Sequence, residues 1–304
     1  MSSKPTIVQT SGIVPVLCLL TTATFWGVSW YPLRLAETLG INGVWTSLMA
    51  YGTAAVIGLL LFFKDLKAFA TAPGKLAVIG LANAWCNIAF ILAVLDGNVV
   101  RVVLLFYLSP LWSTLLGWLV LGEHLSKRAV ATLCLAMLGA VIMLWDSSMG
   151  MPWPTEVSDW LAISSGMAFS IGNISVRNLQ QVSVKVKTMS VWFGVSLLAV
   201  VWVWLAGLPV PEVGMKITGW TMVIGAAMIF VMTFTVQYGV THMPVYRSAV
   251  ILLFELVAAT ISSQLLTDEI IQLKEWVGGG CIIFAAYVSA RSFMEHAETE
   301  EGIT

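Results

Sequence analysis

Charge is what this chain has least of. Asp, Glu, Lys and Arg make up 10% of its 304 residues against 59% hydrophobic, a balance that no water-exposed globular surface sustains. Between Ile13 and Arg291 a single carboxylate or cationic side chain, Glu255, interrupts the interior of an apolar stretch, and all the others sit at stretch ends. The net charge of -1 excludes the basic footprint of a nucleic-acid binder. Histidine is scarce as well: His124, His242 and His296 fall in connections or the tail without acidic companions at ligand spacing, so no metal site is expected. Cys18, Cys86, Cys134 and Cys281 are scattered through separate apolar stretches, where they read as small buried hydrophobes. Neither G-x-G-x-x-G nor G-K-S/T accompanies Gly278 to Gly280. No nucleotide loop and no cofactor are therefore expected, and any work must come from an ion or solute gradient.

What is abundant is the long apolar run. A bilayer core needs about 20 apolar residues per helix, and ten such stretches can be counted. They lie near Ile13 to Leu33, Gly43 to Phe63, Leu76 to Leu95, Val102 to Leu121 and Ala129 to Trp145, then Trp160 to Val176, Thr188 to Leu208, Ile217 to Thr241, Ser248 to Leu266 and Trp276 to Met294. The predicted fold is an all-α polytopic membrane protein with ten transmembrane helices. Segment 1–12 precedes the first five (13–145), a Pro- and Gly-containing connection (146–159) separates the groups, the second five follow (160–294), and an acidic tail (295–304) ends the chain. Of the 15 basic residues, Lys4, Lys64, Lys67, Lys75, Lys127, Arg128, Arg177, Lys185, Lys187, Arg247 and Arg291 fall on one side. Only Arg34, Arg101, Lys216 and Lys274 fall on the other. Since cytoplasmic loops keep positive charge, both termini are expected in the cytoplasm. Trp145, Trp153, Trp160, Trp220 and Trp276 fall near predicted ends, as interfacial rings do.

Five is an odd number, so a repeat of the first group must enter the membrane from the opposite face. Sliding Arg101–Leu125 by 146 positions onto Arg247–Ile271 pairs Arg101 with Arg247, Thr114 with Thr260, Leu119 with Leu265 and Glu123 with Glu269, without a gap. The expectation is two inverted five-helix repeats, an architecture that lets a site open alternately to either face.

Tyr107-Leu108-Ser109-Pro110-Leu111 followed by Leu121-Gly122-Glu123-His124-Leu125 resembles the first half-repeat of the EamA-type drug/metabolite transporter superfamily. Leu253 to Ala259, Thr267-Asp268-Glu269 and Glu275 to Gly280 repeat the pattern, with Leu256 where the family commonly has proline and Asp268 where glycine is usual. The resemblance implies ten helices in two inverted halves, cytoplasmic termini, and transport of small organic solutes, often outward.

Glu255 is the sharpest candidate for function. An ionised side chain at mid-membrane costs at least about 2.5 to 3.5 kcal/mol, so it must face a cavity or a partner. It is expected to bind a proton or a cationic solute group; a structural hydrogen bond to a neighbouring helix is the alternative. Asn83 and Asn87 share one face of the third helix, Thr233 and Gln237 one face of the eighth, and Ser170, Asn173 and Arg177 form a row on the sixth. These residues read as a polar cavity, or as interhelical bonds contributing about 0.6 to 2 kcal/mol each. Trp26 and Trp30, one turn apart with Tyr31 beside them, form a candidate aromatic clamp for a planar or cationic solute. Tyr107 precedes Pro110, whose missing amide hydrogen makes it a candidate hinge, with a static packed kink as the alternative. Arg101 and Arg247, at matched helix entries, are candidates for gating. Gly139, Ala140 and Gly278 to Gly280 read as close helix contacts.

The expected function is therefore secondary transport of a small organic metabolite, an amino acid or a vitamin-like aromatic solute, across a bacterial inner membrane by alternating access, with export favoured. The chain is not expected to be an enzyme; a membrane-embedded enzyme acting on a lipid or isoprenoid is the competing class. The expected partners are the solute and the lipid bilayer, with a homodimer left open.

Overall fold

The computed structural model describes residues 12–145, 153–268 and 270–301, with side chains to residue 295. These residues form helices and connections, with no strand among them. Six helices make the first group: α1 (Ile13–Thr38), α2 (Gly43–Leu61), α3 (Pro73–Asp96), α4 (Val99–Phe106), α5 (Ser109–Leu121) and α6 (Lys127–Leu144). Six make the second: α7 (Val157–Asn178), α8 (Val184–Leu205), α9 (Met215–His242), α10 (Val245–Leu252), α11 (Phe254–Leu266) and α12 (Leu273–Glu301). A 3₁₀ segment, Phe63–Thr71, leads from α2 to α3. The expected first segment up to residue 11, the connection from Asp146 to Pro152, Glu269 with its pairing to Glu123, and residues 302–304 of the expected tail lie outside the described residues, as does the side chain of His296.

Local chemistry explains the starts and stops. Asn42, Asn98 and Ser126 each accept a backbone N–H of the first turn that follows them, at 2.8, 3.2 and 3.2 Å. Glu156 and Asp159 form a capping box at the start of α7. Gly122, at φ +67°, takes the left-handed conformation that ends α5.

Among the described residues, nine spans are long and apolar enough to cross a membrane, α4–α5 and α10–α11 each counting as one. The chain is a multi-pass membrane protein. The helix outside that set, α7, is long enough but carries Ser158, Asp159, Ser164, Ser165, Ser170 and Asn173. All of these except Ser164 are buried within the protein. A helix wrapped by other helices needs less apolar surface than one facing lipid, which is why α7 reads as the least hydrophobic stretch.

The fourth and ninth stretches, expected as continuous helices, are each broken. α4 ends at Phe106 and α5 begins at Ser109; α10 ends at Leu252 and α11 begins at Phe254. Adding 146 to the bounds of α4 gives the bounds of α10. In the first break the cause is local, because Pro110 has no N–H to return to the carbonyl of Phe106. The second break has no proline. There the chain turns at Leu253, whose carbonyl accepts the N–H of Leu256 at 3.0 Å. Gly27 of α1 lies against the same stretch: a Cβ there would stand 2.6 Å from the Glu255 carbonyl, so only glycine permits the approach.

The main packing runs between the two groups of helices. α3 lies against α7 and α8, α9 against α1 and α2, α2 against α8, and α6 against α12. The broken pair α4–α5 packs on α7, and α10–α11 packs on α1. At the α6–α12 contact, Gly139 and Gly278 meet backbone to backbone, as expected of small residues.

Candidate functional site

A cavity of about 490 Å³ occupies the middle of the bundle, a size suited to a small organic ligand. Its floor lies at the two helix breaks, where Phe106, Tyr107, Ser109 and Pro110 meet Leu252, Leu253 and Glu255. Its walls rise along α1, α2, α3 and α9 to Leu33, Leu35, Leu39, Trp220 and Ile224, which are exposed. The cavity therefore opens at the end holding the last turns of α1 and the first turns of α9.

Five of the ten expected solute-binding residues wall this cavity: Trp26, Asn83, Asn87, Tyr107 and Glu255. Glu255 stands in the first turn of α11, beside the break at Leu253. The phenol of Tyr107 donates toward it across the break. Cys86 of α3 also faces Glu255, and no cationic side chain does so among the described residues. Asn83 donates to the carbonyl of Ile79 at 2.9 Å, while the buried Oδ1 of Asn87 has no donor among the described residues. Trp26 meets Phe169 edge to face at 5.8 Å, and Phe106 and Phe90 continue the aromatic wall, with centroids 5.9 Å (Phe106–Phe169) and 5.1 Å (Phe90–Phe106) apart.

The other five lie elsewhere. Trp30 donates to Ser262 of α11 at 2.8 Å, and Tyr31 stacks edge-on against Trp30 with its own ring exposed. Ser170 is fully buried; its hydroxyl bonds Ser113 at 2.9 Å and the Ser109 carbonyl at 2.9 Å, tying α7 to α5. Asn173 and Gln237 are buried outside the cavity, the Gln237 Oε1 without a partner among the described residues. Thr233, also buried, does not wall the cavity. Pro110 sits at the start of α5, on the cavity floor. Arg101 pairs with Asp159 at 2.9 Å and bonds Thr155 and the Trp153 carbonyl, fastening α4 to the segment leading into α7. Arg247 rests on Tyr246, its Nε 3.0 Å from the phenol oxygen.

The opposite end of the bundle is closed, and the residues that close it carried no signal as a group in the sequence. Glu123, placed after the turn at Gly122, accepts the Val245 N–H at 3.0 Å and so caps α10. Arg177 approaches Glu123 at 3.7 Å and donates to the Thr241 carbonyl at 2.6 Å. Gln180 donates to that same carbonyl at 2.8 Å. Lys187, fully buried, donates to the Val176 carbonyl at 2.9 Å and to the Thr241 hydroxyl at 3.0 Å. Burial pushes the Glu123 carboxyl above its usual range, opposed by the Arg177 guanidinium and by the amides of Val245 and Tyr246. Behind this clasp, Leu19, Leu76, Ile79, Leu179, Val186 and Met243 form a buried apolar core.

Comparison with known proteins agrees with this architecture. A solved crystal structure of a protein 16% identical in sequence superposes with a TM-score of 0.73 over 90% of this chain and 95% of the other, which bears on the fold. No curated protein matches the sequence. The EamA-like transporter family model matches residues 13–145, the stretch from α1 to the end of α6.

Proposed function

We propose that the protein is a secondary transporter that carries a small organic metabolite across the bacterial inner membrane by alternating access, with export as its working direction. The single observation that carries this reading is the cavity at mid-bundle, open at one end and shut at the other by a clasp of Glu123, Arg177, Lys187 and Thr241. A solute that reaches the helix breaks from the open end has no path onward until that clasp parts.

Further support comes from the packing. Exchanging the first five spans for the second five turns the contact of α3 with α7 into that of α9 with α1, and the contact of α4–α5 with α7 into that of α10–α11 with α1. Together with the 146-residue offset of α4 and α10, this fits two inverted five-span repeats with α7 as the tenth span. Such repeats place substrate sites where discontinuous helices meet, near the bilayer midplane. The count of basic residues puts both termini and the clasp in the cytoplasm, so the state described is outward-open. The aromatic wall and the two amides fit a solute of amino-acid or vitamin size with a planar face.

Glu255 is the proposed coupling site, with Tyr107 and Cys86 as the titratable groups facing it. Uptake and counterflow in proteoliposomes test the assignment. Glu255→Gln is expected to keep its fold and its solute-independent stability but to lose pH-dependent transport; unchanged pH dependence removes Glu255 from coupling, and a lipid modified with no solute crossing would make the protein an enzyme.

A further inference from the structure

Among the described residues, Glu255 is the one Asp, Glu, Lys, Arg or His side chain that lines the cavity. No Lys, Arg or His reaches the walls. From this imbalance we infer that the solute bears a cationic amine and lacks a free carboxylate. The inference rests on the transport reading above and narrows the solute class for the same site.

Three features of the cavity point the same way. A solute carboxylate brought to the floor would meet Glu255 as a like charge in a poorly solvated space, with no guanidinium or ammonium to offset it. An ammonium group would find a carboxylate in a cavity also lined by the rings of Trp26, Phe106 and Phe169, and aromatic rings attract cations. The helix starts at the breaks do not restore an anion site. Pro110 has no N–H, the N–H groups of Leu111 and Leu256 are already bonded to the carbonyls of Leu108 and Leu253, and the end of α4 abuts the start of α5, so that their opposite half-charges cancel over a residue or two. Arg34 and Lys216, the nearest bases in sequence to the mouth, lie outside the cavity walls.

The test uses three probes with the same ring and different charge: 2-phenylethylamine, phenylalanine and 3-phenylpropionate. Binding to the purified full-length protein is measured by calorimetry, and flux of each probe is measured in proteoliposomes. The amine is expected to bind at least about tenfold more tightly than either carboxylate-bearing probe. Glu255→Gln should erase that preference and Glu255→Asp should keep it; the wild-type comparison stands by itself if Glu255→Gln fails to fold. Equal or tighter binding of phenylalanine or 3-phenylpropionate overturns the inference, and so does the absence of binding by all three. An amine that binds with the expected preference but never crosses the bilayer would refute the transport reading and leave the charge preference standing.

Discussion

At one end of the bundle Glu123, Arg177, Lys187 and Thr241 tie α5, α7, α8, α9 and α10 together, while at the other the ends of α1, α2, α3 and α9 stand apart around walls made mostly of carbon. The closed end is held by charged donors aimed at backbone carbonyls and by a carboxylate on a helix start. The open end has no counterpart among its lining residues. A seal of this kind suits a part that must come undone. Each bond from a charged group contributes roughly 1.5 to 3 kcal/mol, and water can replace the partners one at a time as the helices separate. A seal of packed apolar surface alone would lose its contacts together and leave hydrocarbon facing water.

The largest expected contrast lies along one helix. Thr221 walls the cavity near the start of α9, and Val240 is buried near its end. In a background with the four native cysteines replaced, Thr221→Cys should react readily with a water-soluble thiol reagent and Val240→Cys should stay unmodified. Equal labelling would mean that the ends do not differ as described. Next in size, Glu123→Ala removes the cap of α10 and leaves Arg177 without its carboxylate. It should cost about 1.5 to 3 kcal/mol, seen as a lower Tm, and should make Val240→Cys reactive without changing Thr221→Cys. At the open end, Trp26→Ala should weaken solute binding by about 0.5 to 2 kcal/mol, whereas Trp30→Ala, which loses its bond to Ser262 and its ring contact with Tyr31 but no cavity wall, should leave affinity unchanged and lower stability instead. Wild-type affinity in Trp26→Ala would remove the aromatic wall from binding.

The smallest effect is a pH slope. Because Glu123 holds its proton more tightly in the folded protein than in an unfolded chain, its contribution is full below the ordinary carboxylate range and fades as pH rises through its elevated folded value. Wild type should therefore lose a little stability over that interval. Glu123→Gln, which cannot ionise, should flatten the slope; an unaltered slope in that variant assigns the titration to another group.

Nine of the spans and the acid at the cavity floor were legible in the sequence because both depend on local hydropathy: apolar runs announce helices, and Glu255 stands out within one. Asn83 and Asn87 were found by their four-residue spacing, which places them on a common face. The same spacing rule also picked out Ser170 and Asn173, which face other helices and not the cavity, since periodicity tells which residues share a side but not what that side meets. Trp26 and Trp30 divide in the same manner, one to the cavity and one to Ser262. Pro110 betrayed the first helix break, but the second arises from the turn at Leu253 and the approach of Gly27 across the bundle, neither of which leaves a local mark. The clasp was hidden for the same reason. Its members are drawn from positions 123 to 245, and Lys187 looked like one more loop lysine until its burial beneath Thr241 was seen.

The interleaved packing carries a consequence for biosynthesis. α1 rests chiefly on α9 and α11, α2 on α8 and α9, and α3 on α7 and α8, so the first three helices leave the ribosome well before these main packing partners have been made. Thr22, whose hydroxyl ends 2.6 Å from that of Thr235, must wait for a partner more than two hundred residues downstream. During that interval the nascent chain's polar groups stand against lipid or against the insertion machinery, and neither half completes its own interior until the other has been translated.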